Sequence, residues 1–136
     1  MQIRIASVMV RDQDHALAFY TGTLGFVKHA DIPMGPTYRW LTVTAPEGAE
    51  GVQLALEPTG FEPARVYQKA LYDAGIPNTA FLTDDVEAEY QRLKAKGVVF
   101  RSAPVPMGPI VGAMFEDTCG NLIHLVQPVA PSGGKA

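Results

Sequence analysis

Met114-Phe-Glu-Asp-Thr-Cys-Gly-Asn-Leu-Ile-His-Leu-Val-Gln127 reads as two apolar strands joined by a cluster of turn formers. Within the turn, Gly120 and Asn121 are the residues best able to take positive φ. In the strand that follows, Ile123 and Leu125 point one way while Leu122, His124 and Val126 point the other. His124 therefore stands alone on an otherwise apolar strand face. Whether that face lines a metal site, a ligand cleft or plain core decides what the chain does.

Upstream of this hairpin, residues 80–84 read as a strand ending in a helix cap, and residues 85–97 as a helix with Val86, Tyr90 and Leu93 inward. Residues 98–101 read as a strand and residues 104–109 as a proline-marked turn. The N-terminal part has the same order. A strand over residues 3–10 leads to Asp12 as N-cap, then Ala16, Leu17, Phe19, Tyr20 and Leu24 recur at helical spacing up to Gly25. Strands follow over residues 26–30, 38–44 and 52–56. A shift of 72 residues lays Asp12 on Asp84, Ala16 on Ala88 and Gly25 on Gly97 without a gap, an internal repeat of one supersecondary unit. Between the copies, residues 57–63 read as a loop and residues 65–74 as an amphipathic helix stopped by Gly75 and Pro77.

The expected architecture is α+β: two paired β-α-β-β-β units forming a curved mixed sheet around a cleft, with the helices outside. The units span about residues 1–57 and 78–128 of a single domain, 1–128, with a crossover helix near 63–75. Residues 129–136 read as a flexible tail.

Composition narrows the classes of function. With 136 residues, 47% hydrophobic and 18% charged, the chain has enough apolar content for one core. A net charge of −3 with scattered basic residues gives no footprint for nucleic acid. The single cysteine, Cys119, forbids an internal disulfide and fits a reducing compartment. No run approaches the roughly 20 apolar residues of a membrane span, and the N-terminus does not read as a signal peptide. The expectation is a cytoplasmic protein with no membrane partner.

Asp12 with Ala16-Leu-Ala-Phe-Tyr-Thr-Gly-Thr-Leu-Gly-Phe26 resembles the first-unit signature of the vicinal oxygen chelate superfamily, which holds glyoxalase I, extradiol dioxygenases and the bleomycin-resistance proteins. Asp84-Asp-Val-Glu-Ala88, Leu93-Lys-Ala-Lys-Gly-Val98 and Phe115-Glu-Asp-Thr-Cys-Gly-Asn-Leu-Ile-His-Leu125 resemble its second unit. The resemblance covers roughly residues 3–127 and implies a homodimer with a ligand cleft. Matched on the flanking motifs, the superfamily's four metal-ligand positions fall on Ile5, Gln53, Asn78 and His124.

That set offers one imidazole, two amides and an isoleucine. It suits Zn²⁺ or Fe²⁺ poorly, since a glyoxalase-type reaction needs a carboxylate and extradiol cleavage two histidines and a carboxylate, although a divalent Zn, Ni, Mn or Fe stays open as an alternative. No metal cofactor is therefore expected; if one binds, His124 and Gln53 would hold it. His124 reads either as a ligand contact or general base, or as a histidine held by one hydrogen bond. Tyr38, Trp40 and Thr42 share one strand face and read either as an aromatic cleft wall or as packing between units. Met114, Leu122 and Asn78 complete the ligand-binding candidates. Cys119 reads as structural, since no cation is at hand to lower its pKa.

Three functions follow as expectations. The first is a metal-independent binder of a small apolar or aromatic molecule, of the bleomycin-resistance type. The second is a divergent enzyme, a glyoxalase I-like lyase or isomerase or a dioxygenase, with a weakened metal site. The third is an interaction module whose cleft a partner's side chains fill.

Overall fold

In the first unit, β-branched and apolar residues at alternate positions make β1 (Ile5–Val10), with Val8 and Val10 buried and Ile5 and Ser7 exposed. In this computed structural model, which describes residues 1–129, Asp12 then caps a helix by accepting from the His15 N–H. The helix runs as α1 (Gln13–Leu17) and widens into a π-helical turn over Ala18–Thr23. Gly25, at φ 87°, ends it. β2 (Val27–Pro33), β3 (Arg39–Thr44) and β4 (Gln53–Pro58) complete a four-stranded sheet of order β1-β4-β3-β2. β1 and β4 are parallel and the other pairs antiparallel. A bulge at His29 interrupts β2.

The crossover helix α2 (Glu62–Asp73) starts inside the stretch read as a loop, since Pro63 sits in its first turn, where a missing N–H costs nothing. The second unit follows with β5 (Thr79–Leu82), α3 (Val86–Ala95), β6 (Val105–Met107), β7 (Ile110–Glu116) and β8 (Leu122–Pro128), in sheet order β5-β8-β7-β6. Two expectations change here. Residues 98–101 lie along β7 only through a bridge at Phe100 and Phe115, and the second strand of the unit is instead β6, inside the stretch read as a turn. Pro106 is tolerated because β6 is an edge strand. Asp85, not Asp84, caps α3, accepting from the Ala88 N–H.

The two β-α-β-β-β units are as the repeat implies, but they form two four-stranded sheets rather than one continuous surface. One hydrophobic cluster joins them, running from Val8, Val10, Leu41 and Leu56 in the first unit to Phe115, Ile123 and Leu125 in the second. The α1 helix touches both. Buried Gln13 donates to the carbonyls of Arg39 and Leu56 at 2.7 and 2.9 Å, while Tyr20 packs on Phe81 and donates to Asp117 at 2.6 Å. Residues 130–136, most of the expected tail, lie outside the described residues. Among the described residues no helix is long and apolar enough to cross a membrane.

Candidate functional site

The candidates divide between two strand faces, both turned away from the shared core. In the first sheet, Ile5 and Gln53 are level on the parallel ladder, and Thr42 is level with Ala55 on the next strand. Thr42 donates to Gln53 Oε1 at 2.9 Å, which fixes the amide and uses one of its acceptor sites. Trp40, two residues along β3, is half-buried on the same face. Tyr38 donates to Glu57 Oε1 at 3.3 Å, and its phenol pKa is raised, first by desolvation and then by the Glu57 carboxylate. A cavity of about 360 Å³ opens beside this pair, lined by Met9, Tyr38, Glu57 and Phe61 among others.

On the second sheet, His124 is level with Ala80 on β5 and with Met114 on β7. Its imidazole lies across bare Gly112. A methyl group built there would sit 2.4 Å from His124 Nε2, so only glycine leaves the ring this place. Asn78 donates its backbone N–H to the Leu122 carbonyl, so it stands level with Leu122 and not with His124. Glu116 lies on this face as well, two residues from Met114. It accepts from Tyr72 at 2.6 Å and pairs with Arg101 at 3.6 Å, and Arg101 in turn lies over the Tyr72 ring. The hydrogen bond to Glu116 is the main cause that lifts the Tyr72 pKa above its ordinary value.

The structure brings some predicted residues together and separates others. Gln53, Thr42, Trp40 and Ile5 share the first face; His124, Met114, Asn78 and Leu122 share the second. Among the described residues no hydrogen bond joins the two sets. Thr42 and Leu122 are 0% and 1% exposed, so in this structure they support their neighbours and offer no surface to a ligand. Sequence reading overlooked Glu57 and Glu116, the carboxylates of these faces. Strand alternation could have found them, since Glu57 is four residues from Gln53 and Glu116 two from Met114.

Whether a metal fits can be judged from these donors. Among the described residues no three His, Cys, Asp or Glu side chains converge as a metal site would require. Of the matched positions, Ile5 has no donor atom, Gln53 already accepts from Thr42, and Asn78 is a rung away from His124. The set does not fit Zn²⁺ or Fe²⁺. Cys119 is 1% exposed, and burial pushes its thiol up to about 12, away from the thiolate form that reacts.

The profile described as Glyoxalase/Bleomycin resistance protein/Dioxygenase superfamily matches residues 2–125. The chain belongs to this superfamily. Among its relatives is the uncharacterized protein YurT of Bacillus subtilis (strain 168), 48% identical over 127 residues, covering 93% of this chain and 99% of that one. Two solved members of similar structure are UcmS2 and TnmS3, an antibiotic binding protein from Streptomyces sp. CB03234. UcmS2 is 30% identical with a TM-score of 0.78, covering 93% of this chain and 97% of its own. TnmS3 is 34% identical with a TM-score of 0.74, covering 95% and 97%. The glyoxalase-like fold is thereby shared in both architecture and sequence, although this one fold carries unrelated chemistries.

Proposed function

We propose that this superfamily member binds a small apolar or aromatic molecule on its outer sheet faces, without a metal, as a homodimer in the cytoplasm. The observation that carries the reading is the His124 imidazole held over Gly112 beside Met114, with no convergent donor set around it among the described residues. Such a histidine offers one hydrogen bond and a flat surface, which suits ligand contact better than metal chemistry. Trp40, Tyr38 and Met9 supply the stacking and adaptable apolar surface on the other sheet. A second copy would bring the first face of one chain against the second face of its partner, so that Gln53 and His124 border one cleft. The likeness to an antibiotic binding protein supports a binding role over catalysis.

Trp40 is the sole tryptophan, so its fluorescence reports on this face directly. Bleomycin and anthraquinone-2-sulfonate, as a bulky and a flat aromatic probe, are titrated with and without EDTA. Saturable quenching by either, unchanged by EDTA and weakened in His124→Ala, which keeps the tryptophan reporter, is the expected result. Native mass spectrometry after incubation with Zn²⁺, Ni²⁺, Mn²⁺ and Fe²⁺ completes the test. Stoichiometric metal on the dimer, or quenching that EDTA abolishes, would overturn the binder. It would favour a divergent lyase, isomerase or dioxygenase in which Glu57 or Glu116 supplies the carboxylate. The open cavity beside Tyr38 argues against a pure interaction module, whose cleft side chains would fill.

A further inference from the structure

A second cavity, of about 620 Å³, opens on the opposite side of the sheets from the candidate site. Its floor is Phe26, Phe81, Phe115 and Leu125, all members of the shared core or packed against it. Phe26 and Phe81 meet edge to face, with ring centroids 5.3 Å apart. One wall is the first unit's hairpin loop, and the other is the end of β5 with Glu89, Arg92 and Leu93 of α3, so the space belongs to the seam between units. The volume falls within the roughly 300–1,000 Å³ of small-molecule sites.

The charges at the mouth select a ligand class. Glu47 stands on the hairpin wall and Asp84 on the β5 wall; neither pairs with a cation among the described residues. The basic residue that lines the cavity is Arg92, and it is already used. It donates to Glu89 at 2.7 Å and to the Leu24 carbonyl at 3.3 Å, which ties α3 to the end of the first helix. An aromatic floor under a mouth with two free carboxylates favours a flat aromatic cation, whose ring stacks on phenylalanine and whose charge meets the rim.

We propose that the seam between the two units is a binding site for flat aromatic cations, separate from the outer faces and independent of what those faces bind. The test uses 9-aminoacridine, a planar monocation at neutral pH, followed by fluorescence anisotropy on the full chain. One dye per chain is expected to bind saturably and to weaken with added salt. Glu47→Gln with Asp84→Asn should weaken it about five- to tenfold, the size expected of two partly exposed charge contacts. Both positions are exposed, so this variant folds, and its urea unfolding curve confirms that. Trp40→Ala, on the outer face, should leave dye binding unchanged. Any of three results overturns the inference: equal affinity for the anionic 1-anilinonaphthalene-8-sulfonate, no effect of the double charge variant, or loss of dye in Trp40→Ala. A change of oligomeric state in the charge variant by sedimentation velocity would overturn it too, since the mouth would then be an interface between copies.

Discussion

The turn after β3 and the turn after β7 occupy the same place in the two units, yet one is loose and the other is a buried polar knot. Residues 45–52 span eight positions, are mostly exposed, and bond to themselves through Ala45 and Ala49 carbonyls. Residues 117–121 span five, and Asp117 at their head is fully buried. Its Oδ1 accepts from the Cys119 and Asn121 N–H groups, and its Oδ2 from the Tyr20 hydroxyl and the Asn121 amide. Asn121 and Gln68 both donate to the Met9 carbonyl on β1, so the knot fastens the second unit and the crossover helix to the first. One duplicated hairpin became the clasp of the domain, and the other stayed free to border a cavity.

The sharpest way to break this comparison is to remove the clasp. Asp117→Ala strands four donors, and buried donors without partners cost about 1–3 kcal/mol each before relaxation, so a loss of about 3–5 kcal/mol is expected. The matching change at an offset of 72, Ala45→Gly, should cost well under 1 kcal/mol, because that turn is solvated. Urea unfolding of both variants checks the contrast; equal losses would dissolve it.

The two helices make the same point about what a repeat conceals. Caps Asp12 and Asp85 are 73 residues apart, while the closing glycines Gly25 and Gly97, at φ 87° and 88°, are 72 apart. The first helix therefore holds one residue more, and the π-helical turn over Ala18–Thr23 absorbs it. This is why an ungapped repeat put the cap on Asp84: two adjacent aspartates hid a one-residue slip. The strands, caps and stop glycines were legible because periodicity and turn chemistry encode them locally. Buried Gln13 and Gln68 were not, since hydropathy sees a polar residue and cannot see the backbone carbonyls it satisfies. The candidate faces were legible by alternation, whereas their separation onto two sheets depends on tertiary packing, which no local pattern carries.

A second contrast sets Trp40 against Gly112, again 72 residues apart. The first sheet fills the position with an indole; the second leaves it bare and lays His124 over it. Gly112→Ala must push the imidazole aside and should cost about 1–3 kcal/mol. The accompanying loss of ligand quenching at Trp40, with the fold intact by circular dichroism, would tie His124 to binding. Unchanged quenching would assign the histidine a packing role.

Cys119 and Glu47 form a third pair at this offset, one buried and one exposed. The thiol ionises near its ordinary value of 9.0 once unfolded, but at about 12 when folded. The folded state thus holds its proton longer. Its contribution is fully present below pH 9 and is lost as the pH rises towards 12, with a slope of at most about 1.4 kcal/mol per pH unit. Tyr20, raised by burial and then by Asp117, adds to the alkaline loss above its ordinary value of 10.0. Cys119→Ala should therefore flatten the fall in stability between pH 9 and 10, measured by urea titration at each pH. Thiol reagents at pH 8 should react only at the rate of unfolding.

The smallest expected effect concerns how the clasp turns its corner. Gly120 and Asn121 were the residues expected to take positive φ, but the structure uses Thr118 at 61° and Gly120 at 103°. Asn121 keeps ordinary backbone because its side chain is committed to Met9 and Asp117. A β-branched residue in the left-handed region is strained, and Thr118 retains only an exposed contact of 2.8 Å with His15 in return. Pro46, its counterpart at the offset of 72, carries no such strain. Thr118→Asn substitutes a side chain that tolerates this conformation and should stabilise the fold by about 0.5–1 kcal/mol. Pro46→Asn, in the loose turn, should give no gain. A stabilisation at both positions would mean that asparagine acts through the unfolded chain and not through relief of strain in the clasp.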